Sequence, residues 1–304
     1  MTYLVQRGRR ELNALQATLT CESRVIETTR GPIEYAEYGN PTRPPLLVLH
    51  GAFGGFDHGL YLTRQLGPDT ARCIAPSRPG YLRTPLHVGR SLEEQAHACA
   101  ALLDALAIER VGLIGFSAGG PVAVWFAHLY PDRCWGLILA SAVAHPWRAT
   151  WQTRLLELIP ENDLLRWAML TYWPTLVMRS NHISAAQQAQ FALNPAALSG
   201  LLAMGVMPKA GRWAGSDNDR RQLMNVPPLP FEALRQPALI LHCQTDWLVP
   251  PSHARYAARA LPHAASLLLN SGGHLAWFSN HLVTVPAMQA FVSNHAPGLR
   301  FSEP

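Results

Sequence analysis

The 304-residue chain reads as an α/β protein: a mostly parallel central sheet flanked by helices, with an inserted helical cap. Three observations predict this. Short apolar runs alternate with helix-patterned segments from about residue 44 to residue 144. The alternation then stops, and from His145 to Arg235 there is no convincing buried strand. It resumes at PALILHCQTD, residues 237–246. Strands that alternate with helices imply right-handed crossovers and parallel pairing. The expected division is an N-terminal extension over 1–20, core over 21–144 and 236–304, and the cap over 145–235.

Each element has its own signal. The start is amphipathic, with Leu4, Val5, Leu12 and Leu15. Thr20–Tyr38 alternates and turns at Arg30-Gly31-Pro32, as a β-hairpin does. PPLLVLH (44–50) is a continuous apolar run ending in glycines, which suits a strand buried on both faces. ARCIAPS (71–77) predicts another strand. SLEEQAHACAALLDALAI (91–108) is a helix opened by a capping box, Ser91 with Glu94. VGLIGF (111–116) and WGLILASAVA (135–144) are two more strands.

Within the interruption, helical patterns cover 151–159, 162–178, 184–192 and 195–205. The third starts at Ser184 with Gln187 three residues on, and the fourth has Asn194 as N-cap and Pro195 at N1. Pro227, Pro228 and Pro230 close the segment. After 237–246 come a helix over 251–261, the strand SLLLN (266–270) and a last helix near 284–294.

Composition excludes several classes. Nearly half the residues are apolar and charge is modest, as in an ordinary globular protein. No run is long and apolar enough to span a bilayer. The arginines near the N-terminus are not followed by an apolar h-region, so cytoplasmic residence is expected. The net charge is +5, yet the cations do not gather into the stripe that nucleic-acid binding requires. The five cysteines are scattered without C-x-x-C spacing, which argues against a disulfide framework or a structural zinc site. No metal cluster or nucleotide-binding loop is visible, so no cofactor is expected.

Chemistry enters at VGLIGFSAGG, residues 111–120. Glycines at 115 and 119 around Ser117 suit a sharp strand-to-helix turn that pushes the serine hydroxyl out at a sheet edge. A serine so held is either a nucleophile or only a turn residue. The first role needs a base within hydrogen-bond reach.

Five landmarks stand at predicted strand ends: LLVLHGAFGG, PSRPGYLRT, GFSAGG, QTDWLVP and SGGHLAWF. On these the chain from about residue 30 onward resembles the α/β-hydrolase family. The resemblance implies a nucleophile, acid and histidine in that chain order, hence Ser117, Asp246 and His274. Asp246 also suits a cap for the helix near 251. His50, in this resemblance, shapes the oxyanion loop; His58, His145, His242 and His253 are assigned to surface or core. The oxyanion hole is expected from the backbone N–H groups of Ala118 and Ala52. Dehalogenase-type and epoxide-hydrolase-type members carry aspartate at the elbow, so Ser117 sets this chain apart from them. HGAFG at 50–54 replaces the HGGPG of proline iminopeptidases. Many members have glycine where this chain has Cys243.

The cap is rich in large apolar side chains, which suits a small hydrophobic substrate. Phe53, Phe116, Trp147, Trp151, Trp173 and Trp247 are the candidate pocket residues. Arg148, Arg154, Arg166 and Arg179 are candidates for a substrate carboxylate or for solvated surface. The leading expectation is a serine hydrolase acting on a carboxylic ester through an acyl-enzyme. A meta-cleavage-type C–C hydrolase, a lactonase or an acyltransferase would use the same residues, and a small-molecule receptor would retain them without turnover. The partner expected is a small molecule, neither nucleic acid nor membrane, bound by a monomer or homodimer.

Overall fold

The computed structural model describes residues 2–151, 153, 162–180, 182–193 and 209–298. Its centre is an eight-stranded sheet: β1 Arg24–Thr28, β2 Gly31–Tyr38, β3 Pro45–Leu49, β4 Arg72–Pro76, β5 Val111–Phe116, β6 Cys134–Ala140, β7 Ala238–Cys243 and β8 Ala264–Leu269. The order across the sheet is β1-β2-β4-β3-β5-β6-β7-β8. β1 and β2 pair antiparallel, β2 pairs antiparallel with β4, and every pair from β4 to β8 is parallel. The hairpin turns at Thr29-Arg30, slightly earlier than the sequence suggests, because Gly31 already pairs with Thr28.

The continuous apolar strands follow from burial on both faces. In β3, Leu47 and Leu49 join one core cluster with Leu113, Val122 and Phe126. Leu46 and Val48 point the other way, into a second cluster with Ile114, Ile138, Phe278 and Phe291. A strand's side chains alternate between faces, so only an unbroken apolar run can satisfy both. Each such leucine removed from water contributes about 1.5–3 kcal/mol.

Among the described residues the α-helices are α1 Thr2–Glu22, α2 Phe56–Arg64, α3 Leu92–Ala105, α4 Gly120–Leu129, α5 Asp163–Tyr172, α6 Pro174–Ser180, α7 Ala185–Leu193, α8 Trp213–Met224, α9 Ser252–Ala260, α10 Ala276–Ser279 and α11 His281–His295. The capping box of α3 is formed: Ser91 Oγ accepts from the Glu94 N–H, and the Glu94 carboxylate accepts from the Ser91 N–H. The single helix expected over 162–178 is two, broken at Trp173. Pro174 lacks an N–H and disfavours helical backbone at the residue before it. The strand expected over 135–144 stops at Ala140, since Ser141 turns into left-handed backbone, φ 46°. Apart from 151 and 153, the helix expected over 151–159 lies outside the described residues, as does that over 195–205. No helix among the described residues is long and apolar enough to cross a membrane. Cys73, Cys99, Cys134 and Cys243 are all buried and unpaired.

Candidate active site

The register of the sheet brings distant sequence to one edge. Phe116, the last residue of β5, lies beside Ala140 of β6, which lies beside Leu241 of β7, which lies beside Leu267 of β8. The chain therefore leaves β5, β7 and β8 at the same carboxyl edge, where open α/β sheets bind ligands.

Ser117 is the first residue past β5, with φ 53°. Left-handed backbone at a non-glycine residue costs about 1–3 kcal/mol and persists only where its surroundings enforce it. Here the surroundings are tight. A Cβ at Gly119 would come within 2.4 Å of the Leu49 carbonyl oxygen, and one at Gly115 within 2.8 Å of the Gly120 Cα. The Ser117 carbonyl accepts from the Val143 N–H at 3.1 Å, which fixes the far side of the turn.

His274 Nε2 lies 3.0 Å from Ser117 Oγ, and His274 Nδ1 lies 2.9 Å from Asp246 Oδ2. All three side chains are buried. Asp246 Oδ1 accepts from the N–H groups of Leu248 (3.0 Å) and Val249 (2.9 Å), so its other oxygen is left to face the imidazole. Gly272 and Gly273 both adopt positive φ, 114° and 58°, which lets the loop after β8 fold over the edge. Ser141 Oγ donates to the His274 carbonyl at 3.1 Å, and the Gly273 N–H donates to Thr245 Oγ1 at 3.3 Å. Cys243 Sγ sits 3.2 Å from Thr245 Oγ1, so a cysteine at this position fits without displacing the acid. A serine–imidazole–carboxylate chain of this kind can move the serine proton onto the imidazole and stabilise the cation that forms.

The loop after β3 faces the serine. A Cβ at Gly51 would approach Ser117 Cβ to 2.9 Å, so Gly51-Ala52-Phe53 runs directly across from the turn. His50 supports that loop. Its Nδ1 donates to the Gly51 carbonyl at 2.7 Å, and its Nε2 accepts from the Arg78 N–H at 2.9 Å. Burial first, then the Arg78 charge, holds its pKa well below the usual value, so it is a neutral scaffold.

The candidate pocket residues divide. The Phe116 ring lies 5.3 Å from the His274 ring. Phe53 meets the edge of Trp213 at 5.5 Å, with Lys209 Nζ 4.0 Å from its ring. Trp147 is half-buried and donates from Nε1 to the Leu248 carbonyl at 2.7 Å, bracing the turn that carries Asp246. Trp247 is half-buried on that turn. Trp151 and Trp173 stand largely in solvent, 69% and 59% exposed, as surface indoles do. Among the described residues, no group of three or more histidine, cysteine, aspartate or glutamate side chains is placed to hold a metal.

Residues 44–280 match the sequence profile of the alpha/beta hydrolase fold family. The chain belongs to this family. It is a hydrolase, and is 32% identical over 259 residues to the uncharacterized hydrolase YcgS of Bacillus subtilis, covering 81% of this chain and 89% of that one. The alpha/beta hydrolase fold protein of Nakamurella multipartita superposes with a TM-score of 0.79 at 29% identity, over 89% of this chain and 97% of that one. A meta-cleavage product hydrolase of Pseudomonas fluorescens shares the fold at 18% identity and a TM-score of 0.68, over 89% of this chain and 97% of that one.

Sequence reasoning misses two features of the site in this hydrolase. His242, assigned to surface or core, has Nε2 3.5 Å from Asp246 Oδ2 and donates to the Val249 carbonyl at 2.9 Å. Burial lowers its pKa, so it acts as a neutral brace for the acid turn. Its only sequence signal is a spacing of four from Asp246, lost within an apolar strand. The second feature is a pair of buried ion pairs, Arg78–Asp219 and Arg212–Asp57, joining residues more than 140 apart in sequence.

Proposed function

We propose that this hydrolase cleaves the carboxylic ester of a small hydrophobic substrate through an acyl-enzyme on Ser117. The observation that carries the reading is the buried chain Ser117–His274–Asp246, with contacts of 3.0 and 2.9 Å, ending on a serine in strained backbone. Ser117 Oγ attacks the ester carbonyl carbon while its proton passes to His274 Nε2. The Ala52 and Ala118 N–H groups receive the negative charge that develops on the carbonyl oxygen. Removing one such donor costs about 3–4 kcal/mol of transition-state stabilisation in enzymes of this type. As the tetrahedral species collapses, the alcohol leaves with the proton from His274, and Ser117 carries the acyl group. Water then attacks, giving its proton to His274, and the carboxylic acid departs as Ser117 regains a proton. Asp246 holds the imidazole tautomer and stabilises the imidazolium in both halves.

The helices between β6 and β7 would cover this edge as a cap, with Phe53, Phe116 and Trp213 offering apolar wall to the acyl or alcohol part. A panel of p-nitrophenyl esters of graded acyl length tests the reading. Short to medium chains should be hydrolysed with a burst of one p-nitrophenol per chain, and Ser117→Ala should lower turnover by at least about 1,000-fold. A fluorophosphonate should label Ser117, identified by peptide mass spectrometry. Labelling at a different serine, or undiminished turnover in Ser117→Ala, removes the nucleophile. Cleavage of a vinylogous diketone acid with no ester cleavage would redirect the reading to C–C hydrolysis.

A further inference from the structure

The two buried ion pairs meet the oxyanion loop at its two ends. Arg78 Nε donates to the His50 carbonyl at 2.9 Å, and its guanidinium forks onto Asp219 of α8, with Nη1 2.9 Å from Oδ1. Tyr81 OH donates to Asp219 Oδ2 at 2.6 Å. At the other end Arg212, the residue before α8, donates from Nη1 to the Gly54 carbonyl at 2.7 Å and forks onto both carboxylate oxygens of Asp57. All four charged residues are at most 2% exposed. Burial opposes ionisation of Asp57, but the Arg212 charge, its hydrogen bond and the interactions with His58 together outweigh it and keep the carboxyl below its usual range.

Between these two anchored carbonyls lie only Gly51, Ala52 and Phe53. Backbone bonds seat α8 on the loop after β4 as well: the Gly215 N–H donates to the Gly80 carbonyl at 2.8 Å, and the Leu82 N–H to the Gly211 carbonyl at 2.6 Å. Replacing a buried ion pair by well-packed apolar residues is often neutral or stabilising, so two such pairs on one short helix are poorly explained by stability alone. What they supply is direction, because a guanidinium fork fixes angle as well as distance.

We propose that α8 sets the oxyanion loop, with Arg212 and Asp219 as positioning residues that aim the Ala52 N–H at the developing oxyanion. This rests on the acyl-enzyme reading above. The same helix ends the segment between β6 and β7, so the aim of the donor depends on that segment being seated.

The test replaces one pair without stranding a charge. The double variant Arg212→Met with Asp57→Leu removes both members and leaves the Gly54 carbonyl without its donor. Turnover is measured per active site, titrated by the p-nitrophenol burst, together with inhibition by a trifluoromethyl ketone of the best acyl length, whose hemiketal oxygen occupies the oxyanion hole. The expected result is a fall in kcat per site of about 10- to 100-fold, KM within about threefold of wild type, and weaker inhibition by a matching factor. A merely structural pair would lower the unfolding midpoint and leave kcat per site and inhibition unchanged, which overturns the proposal. Arg212→Lys provides the second variant; it keeps the charge, loses the fork, and should show the same pattern more weakly. Loss of native circular dichroism in both variants also overturns the proposal, because the pair is then a folding device. Failure of the acyl-enzyme reading is distinct: wild type would give no burst, and Ser117→Ala would still turn over.

Discussion

At the scale of single residues, Asp246 receives two backbone N–H bonds on one oxygen and the imidazole on the other. Asp246→Asn preserves the size and the first set of bonds. Its amide, however, presents an N–H or a neutral oxygen to His274 Nδ1, which favours the wrong tautomer and removes the counter-charge. Turnover should fall by about 10^4 with the unfolding midpoint little changed; wild-type kcat in this variant would exclude Asp246 from the proposed mechanism. The edge that Ser117, Asp246 and His274 reach is legible because each stands within five residues of the end of an apolar strand, while their grouping as nucleophile, acid and histidine is what the family resemblance implies. His242, Arg78, Arg212 and Asp219 were not readable, because their partners are set by tertiary contact and none interrupts an apolar pattern in a telling place.

Among elements, the junction of β5 and α4 is tightly constrained. A methyl group at Gly119 would meet backbone oxygens at 2.4 and 2.8 Å, the Leu49 and His50 carbonyls, neither of which is a flexible side chain. Gly119→Ala should therefore displace the turn against the end of β3, lowering stability by about 1–3 kcal/mol and activity along with it, measured by urea unfolding and ester turnover. The central strands β3, β5, β6 and β7 are legible as apolar runs, the β1–β2 hairpin by its alternation, and α3 because its capping box is spelled out. Helices α2 and α8 were not. α8 reads WAGSDNDRRQLM, nearly devoid of an apolar stripe, and is held by ion pairs and backbone bonds that no periodicity reports. α2 begins directly after a glycine-rich loop that masks its start.

Over the molecule as a whole, acid should be the weak side of the fold. His50, His58, His242 and His253 are all held neutral, their pKa values lowered chiefly by burial, to about 4 for His58 and about 3 for His253. In the unfolded chain each would take up a proton near pH 6.5. Below that value the unfolded state binds more protons than the folded one, so stability is fully present above about pH 6.5 and declines as pH falls. Each histidine contributes a slope of about 1.4 kcal/mol per pH unit until its folded pKa is reached. Urea midpoints should drop steeply between pH 7 and pH 5; a flat profile over that interval would contradict this account. The mostly parallel sheet and the edge on which the site assembles are properties at this scale and are implied by strands that alternate with helices; the family follows from the five landmarks, and the placing of β4 between β2 and β3 is set by tertiary pairing that the chain order does not spell out.

The thiols carry a practical corollary. Burial pushes Cys73, Cys99 and Cys134 up to about 12, so at neutral pH they are protonated as well as shielded from alkylating and oxidising reagents. Peroxide or maleimide reaches them only when the folded chain opens, which makes their modification a clock for unfolding and leaves the native hydrolase insensitive, at these three positions, to redox conditions that would disable an enzyme with accessible sulfur.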